Sequence, residues 1–255
     1  MKNRLNLLKY FLIKDIKARY VGSGLGILWT VLLPLFQILL YWFVFSTIMR
    51  IRPYSNANIP YVYYLLSTFV FWLAMSEGIA RSGVVIIENA ELVKKVSFPR
   101  NILPIAATLS SFLHNMIGVI ITLVIFAFSG ILHIHMLLII PVLMLQLMFS
   151  IGIGLLMAAI VPYIRDIQQV MGQVLQGMFF LSPIIYTLEN IPEKFRSFAF
   201  LNPVTVYIES YHQIIFERHF PNLMYIYGMV FISVFFFFAG IKVFHKLNEG
   251  FADIL

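Results

Sequence analysis

Six stretches of this 255-residue chain are each apolar over about the twenty residues that a helix needs to cross the hydrocarbon of a bilayer. They fall at 27–49, 59–80, 101–128, 137–161, 169–188 and 223–244. Such spans leave a chain few choices, because inside lipid every backbone N–H and C=O must be satisfied within the structure itself. The expectation is an all-α integral membrane protein with six transmembrane helices. Composition agrees: 61% of residues are hydrophobic and 11% charged, with a mean hydropathy of +0.91, outside the range of soluble domains. No internal repeat or low-complexity linker interrupts the pattern, so residues 1–255 are read as one membrane domain.

An even number of spans places both termini on one side. If that side is the cytoplasm, 13 of the 18 Lys and Arg residues lie inside, in segments 1–26, 81–100, 162–168 and 241–255. The excess of inside positive charge makes the chain a multi-pass protein of the cytoplasmic membrane with both ends cytoplasmic. The net charge of +7 follows from this placement and does not point to nucleic acid, since the basic residues flank apolar spans. The chain has no cysteine, which excludes disulfides and cysteine-held metals. No cleavable signal peptide is expected, because the first 25 residues lack a short apolar core with a small-residue cleavage site.

Ahead of the first span, Leu5, Leu8, Leu12 and Ile16 form one helical stripe, with Lys14 and Lys17 elsewhere. Residues 1–24 therefore read as an amphipathic helix lying in the interface. The glycines of "RYVGSGLGILWT" would then supply the joint at which the chain turns into the bilayer, through Gly22, Gly24 and Gly26. They do not make a phosphate loop: the third glycine of a dinucleotide fingerprint is replaced by Ile27 or Trp29, and no G-x-x-x-x-G-K occurs. The chain is not expected to hold ATP by itself. Segment 189–221 is too polar to span and too aromatic for a plain loop, so two short extracytoplasmic helices are expected, one starting at Asn202-Pro203 and one near Pro192.

The fifth span carries Gln169, Gln173, Gln176, Phe180 and Thr187 on nearly one face. Amides in hydrocarbon need partners, so this face either glues helices together or lines a path for a polar solute. The first span offers a similar face with Gln37, Tyr41 and Trp42. The second begins with Tyr61, Tyr63 and Tyr64 and continues through Phe69, Phe71 and Trp72. These aromatics form an interfacial belt or, where they lie deeper, a surface on which sugar rings stack. Glu77 and Arg81 are spaced for an i,i+4 ion pair. His114 and Asn115 suit an interhelical hydrogen bond, and Ser150, Gly154 and Ala158 suit close helix packing. No catalytic or metal site is expected: Glu209 and His212 stand alone as an i,i+3 pair, and no G-x-S-x-G or H-E-x-x-H occurs.

The stretch "ENAELVKKVSFPRNILP", the "IKDIKARYVGSGLGILWTVLLPL" leading into the first span, "YIRDI", and "LSPIIY" followed by "LNPV" together resemble ABC-2 type permeases. The nearest branch exports lipid-linked polysaccharides such as O-antigen, capsule or teichoic acid. The resemblance implies a homodimer of six-span subunits with a channel between them, paired with separate nucleotide-binding ATPase subunits. ATP and Mg would be used by that partner, and no cofactor is implied for this chain. Within 81–100, Asn89, Glu91, Leu92, Val93, Lys94 and Lys95 would form the segment coupled to the ATPase, with Asn89 capping its short helix. Arg165 and Asp166 would belong to the second inner turn, and 189–221 would form a re-entrant helix pair. Gln37, Tyr41, Trp42, Phe71, Trp72, Gln169, Gln173, Gln176 and Phe180 are the candidates for the substrate path. Lys14, Lys17, Arg19 and Arg81 have the charge to meet the carrier lipid's headgroup, or are ordinary inside charges. Alternatives are an exporter of a small hydrophobic drug and a membrane enzyme acting on lipid-linked sugars.

Overall fold

The computed structural model describes residues 2–19, 24–53 and 59–255, and among these the regular structure is helical throughout. Five helical segments are long and apolar enough to cross a membrane: Trp29–Ile48, Tyr61–Glu88, Ile102–Phe128, Ile134–Ile160 and Leu223–Gly250. The expected fifth span is shorter than its apolar run. Its helix covers Ile167–Leu181, 15 residues or about 22 Å, because Pro183 prevents the helix from continuing through Ser182. The full count of six crossings is therefore an expectation carried by sequence alone.

The first helix, α1 (Lys2–Ala18), packs along α5 (Ile102–Phe128). Its anchor is Phe11, buried and stacked on Phe98 with ring centres 5.7 Å apart, while Leu5 of the expected apolar stripe is 63% exposed. Gly26 adopts a positive φ of 50° in the turn before α2 (Trp29–Tyr41), the backbone state a sharp joint needs. Gly22 lies outside the described residues. Helix α2 carries Pro34 and widens into a π-helical stretch at Trp42–Ile48; only Thr30 and Ile38 of α2 are buried.

The centre of the bundle is α3 (Tyr61–Glu88), about 42 Å long at 1.5 Å per residue, packed between α5 and α6 (Ile139–Ile160). Ser82 and Thr108 join α3 to α5 through hydroxyls 2.8 Å apart, so the polar atoms of this contact are satisfied inside it. The small face of α6 packs as its spacing implies: Gly154 sits against Ser82 and Thr108, with Ser150 and Ala158 fully buried. A closer approach went unnoticed in the sequence. Gly152 of α6 meets the backbone of α10 (Leu223–Leu247) at Phe236, and Gly240 meets the backbone at Gly152, so a methyl group on either would overlap main chain.

At one end of α3, Tyr61 and Tyr64 are buried rather than forming a lipid-facing belt. The Tyr64 hydroxyl lies 2.7 and 2.6 Å from the carbonyls of Pro183 and Tyr186, and Tyr61 donates to Ile185 at 2.8 Å. These bonds pin the turn that follows α7 (Ile167–Leu181). Two short helices come next, α8 (Glu193–Ala199) and α9 (Thr205–His212). Asn202 organises the approach to α9 three residues before its first residue, Thr205: its side chain accepts from the Val204 N–H and donates to the Met178 carbonyl and the Ser182 hydroxyl. Helix α9 is buried almost throughout among α3, α6 and α10. Tyr207 bonds Ser233, and Tyr211 donates at 2.6 Å to Gln146, which itself donates to the Phe71 carbonyl. Tyr207, Tyr211, Gln146 and Ser233 thus pair across helices, as an apolar surrounding requires.

At the opposite end of α3 lie α4 (Ala90–Lys95) and the chain end, with α11 (Phe251–Ile254). Phe11, Val93, Leu103, Phe244 and Phe251 belong to one apolar cluster there, separate from the larger core around α3.

Candidate functional site

Three helices build a groove of about 330 Å³ beside the core: Gln37 and Tyr41 from α2, Phe69, Trp72 and Ser76 from α3, and Gln176, Phe179 and Phe180 from α7. Phe179 is its hub. Its ring centre lies 5.4 Å from Tyr41, 5.7 Å from Trp72 and 6.0 Å from Phe69, and Tyr41 meets Phe69 edge-on at 5.6 Å. The amides of Gln37 and Gln176 stand on exposed positions at the rim. The wall therefore offers ring faces to C–H surfaces, with amides and a hydroxyl beside them for hydrogen bonds.

Of the residues singled out in the sequence, the structure brings Gln37, Tyr41, Trp72, Gln176 and Phe180 together here. Gln169 and Gln173 are exposed on α7 outside the groove, and Trp42 is 40% exposed on the π-helical stretch. Phe71 belongs elsewhere: it is buried against Tyr211, with rings stacked at 4.2 Å, because α3 turns it toward α9. The hub Phe179 was missed. Its neighbours in sequence are as apolar as it is, and only the fold distinguishes the one buried against Trp72.

The four cations expected to face a lipid headgroup are mostly engaged within the protein. Asp15 of α1 lies 2.6 Å from Arg81 and 3.3 Å from Arg19 and accepts from Ser110 at 2.6 Å. Arg19 also pairs with Glu77, which accepts from Asn115, and Arg81 with Glu88 at 3.2 Å. The expected Glu77–Arg81 pair is thus replaced by partners from α1, since a third helix brings in both a carboxylate and a guanidinium. Asn115 does make its interhelical bond. Burial pushes the Asp15 carboxyl up, but the Ser110 hydroxyl, Arg81 and Arg19 outweigh that and hold it below the ordinary carboxylate value. Lys14 donates to Asn89 at 2.9 Å, and Lys17 is exposed.

Asn89 stands at the start of α4, yet its side chain does not cap that helix. It donates to the Val85 carbonyl and closes the end of α3 instead. Within α4, Glu91 and Lys95 pair at 2.5 Å on the exposed side, Lys94 is exposed, Leu92 is half-buried, and Val93 is buried in the apolar cluster. Val93 is therefore an internal anchor rather than a contact surface. Arg165 and Asp166 are exposed in the turn between α6 and α7. That turn is tied to the chain end, because Tyr163 donates at 2.7 Å to the Leu247 carbonyl and lies 6.1 Å from the Phe251 ring. Arg100 makes the matching tie from the α4 side, donating to the Asn248 carbonyl at 2.5 Å. Glu209 and His212 sit 3.8 Å apart within α9, with the His212 ring stacked on Tyr64.

These features define a multi-pass helical membrane protein with an aromatic and amide groove toward one side and a compact, tied set of turns at one end. The chain belongs to the ABC-2 type transporter family, whose model matches residues 6–216. It is 29% identical over 245 residues to an "O-antigen export system permease protein RfbA" of Klebsiella pneumoniae, covering 95% of this chain and 92% of that one. A protein of the same name from Myxococcus xanthus is 29% identical over 244 residues, covering 94% and 92%. The "Polysialic acid transport protein KpsM" of Escherichia coli is 21% identical over 239 residues, covering 93% and 92%. The chain is accordingly a member of a family of transporters, and its relatives are named as export and transport proteins.

Proposed function

We propose that this chain is the membrane half of an ATP-driven exporter that moves a lipid-linked polysaccharide out across the cytoplasmic membrane. The groove carries the reading: three aromatic rings within about 6 Å of Phe179, edged by Gln37 and Gln176, suit a polymer of sugar rings that must be held and released repeatedly. Ring stacking and amide hydrogen bonds grip successive units without demanding one sequence of sugars.

One chain gives only half a path. The exposed stripe of Gln169, Gln173 and Gln176 on α7 and the exposed length of α2 are surfaces that a second copy would cover, closing two grooves around one channel. Energy enters from a separate ATPase that binds ATP and Mg and seats on the exposed side of α4, with Arg165 and Asp166 as its second contact. Closure of that partner pushes α4, and the 42 Å rod of α3 carries the movement to Phe69 and Trp72 in the groove. In this arrangement both chain ends are cytoplasmic and α8 with α9 forms the outer, re-entrant gate.

The test is to measure lipid-linked glycan on each side of the membrane in cells lacking the gene, complemented with wild type or with Gln37→Leu/Gln176→Leu. Inside accumulation relieved by wild type and not by the variant, at equal assembled protein, is the expected result. Normal surface glycan without the gene overturns the reading.

A further inference from the structure

Of the positive charges that sequence offers to a phosphate, Arg19 and Arg81 are paired with Asp15, Glu77 and Glu88, Lys14 bonds the Asn89 amide, and Lys17 stands exposed on α1. A second group of positive charges is gathered around one cavity. A cavity of about 460 Å³ opens where α1, α4, the Ser97–Asn101 turn and the end of α10 meet, a size within the range of roughly 300–1,000 Å³ typical of small-ligand sites. Its wall includes Arg4, Lys94, Lys95, Arg100 and His245 and, among the described residues, no carboxylate.

Lys95 is already paired with Glu91. Arg100 is fixed in place by the carbonyls of Asn248 at 2.5 Å and Val93 at 3.4 Å, which orient the guanidinium without cancelling its charge. Arg4 and Lys94 have no ion-pair partner among the described residues. Like charges gathered in one concavity repel unless an anion joins them.

The kind of anion follows from where the cavity sits. The amphipathic helix α1 contributes Arg4 to the wall, and the next residue on that helix, Leu5, is 63% exposed; Val96, 47% exposed, lines the cavity itself. A basic recess with an exposed aliphatic side chain in its wall and another beside its arginine on α1 matches a lipid, with its phosphate in the recess and its chains along Val96 and Leu5. Basic pockets between membrane helices on the cytoplasmic side take anionic headgroups in this way.

We infer that this cavity binds the phosphate headgroup of an anionic inner-leaflet phospholipid, with Arg4, Lys94 and Arg100 as its phosphate contacts and the acyl chains lying along Leu5 and Val96. The bound lipid joins α1, α4 and α10 at the level where the ATPase would seat. The inference rests on the cytoplasmic placement of this end and not on what is exported.

The experiment purifies the full chain in detergent with added phosphatidylglycerol and counts retained lipid by native mass spectrometry. Wild type is expected to keep phosphatidylglycerol after bulk lipid is stripped. Lys94→Gln, an exposed change, should weaken retention about tenfold and Arg4→Gln/Lys94→Gln about 100-fold, as a hydrogen bond between charged groups contributes roughly a factor of ten or more. Lys9→Gln/Lys17→Gln removes the same charge from exposed positions of α1 and should leave retention within about twofold, since general surface attraction falls off within a Debye length. Equal loss in both double variants, or no retention by wild type, overturns the site. Retention of an added polyprenyl diphosphate in place of phosphatidylglycerol overturns the phospholipid assignment. Unchanged melting temperatures confirm that the variants fold.

Discussion

The Asp15 carboxylate on α1 lies 2.6 Å from the Arg81 guanidinium on α3, and this contact fastens the N-terminal helix to the centre of the bundle. Arg19, just past the end of α1, makes a second tie to Glu77. Asp15 is only 11% exposed, so removing one partner leaves a poorly solvated charge behind. Because Arg81 is 31% exposed, solvent screens part of that cost, and Arg81→Gln should destabilise by about 1–3 kcal/mol. The double variant Asp15→Asn/Arg81→Gln should lose less than the two single variants added together. Thermal melts of the four proteins in detergent measure the coupling, and strict additivity would dissolve the claimed contact.

Acid should act on the same tie. The folded carboxyl of Asp15 is held below its ordinary value of 3.8, so its contribution to stability is complete above that value and is lost as pH falls through the lowered one. Melting temperature should therefore decline with falling pH below about 4 more steeply in wild type than in Asp15→Asn. Parallel slopes would mean that other carboxylates govern acid stability.

Gln176 is exposed on α7, so Gln176→Leu should shift stability by no more than about 0.5 kcal/mol. Its effect belongs to transport. Loss of a hydrogen-bonding group at the rim should lower export several-fold, and Gln176→Asn should retain more activity than Leu does. By contrast Phe71→Ala should cost about 3–5 kcal/mol of stability, because Phe71 is packed on Tyr211 in the core. Export per assembled molecule, measured for the three variants, separates wall from core; a transport defect in Phe71→Ala at full stability would reassign that residue to the path.

The apolar runs made the long helices legible, because length and hydropathy alone decide whether a segment can span. Orientation of individual side chains was not legible there. In a span that is apolar all round, periodicity carries no signal for which side faces a neighbour, so Phe71 and Trp72, adjacent in sequence, are indistinguishable until α9 meets one and α7 the other. The Glu77–Arg81 pairing failed for a related reason. Local spacing says which charges can meet within one helix and is silent about Asp15 and Arg19, more than fifty residues away, which compete for them. The fifth span ended early at a proline that the hydropathy average had hidden. Polar small residues fared better, since Ser150 and Gly154 declare themselves against an apolar background.

Gly152 and Gly240 offer a test of that packing. A side chain on Gly152 would overlap the Phe236 backbone, which cannot move aside as a flexible side chain would. Gly152→Ala should cost about 1–3 kcal/mol and Gly152→Leu more. Gly177, with nothing close to the position of an added Cβ, should tolerate alanine. Equal tolerance at both sites would contradict the α6–α10 contact.

Coupling to an ATPase can be separated from folding on α4, because the helix has two unlike sides. Val93 is 1% exposed within the cluster that includes Phe11 and Phe244, so Val93→Asp places a charge in an apolar site and should cost more than about 3 kcal/mol. Glu91 is 77% exposed and its ion pair with Lys95 is solvent-screened, so Glu91→Arg should leave the melting temperature nearly unchanged. If the ATPase seats on the exposed side, Glu91→Arg should nonetheless weaken its association or lower export per ATP hydrolysed. Tyr163→Phe probes the other inner turn: losing the 2.7 Å bond to the Leu247 carbonyl should cost about 0.5–1.5 kcal/mol and loosen the chain end from the α6–α7 turn. ATPase activity and export measured together in the reconstituted complex discriminate the cases. A Glu91→Arg protein with normal coupling would remove α4 from the contact, whereas one that still hydrolyses ATP but exports little would place the transmission step there.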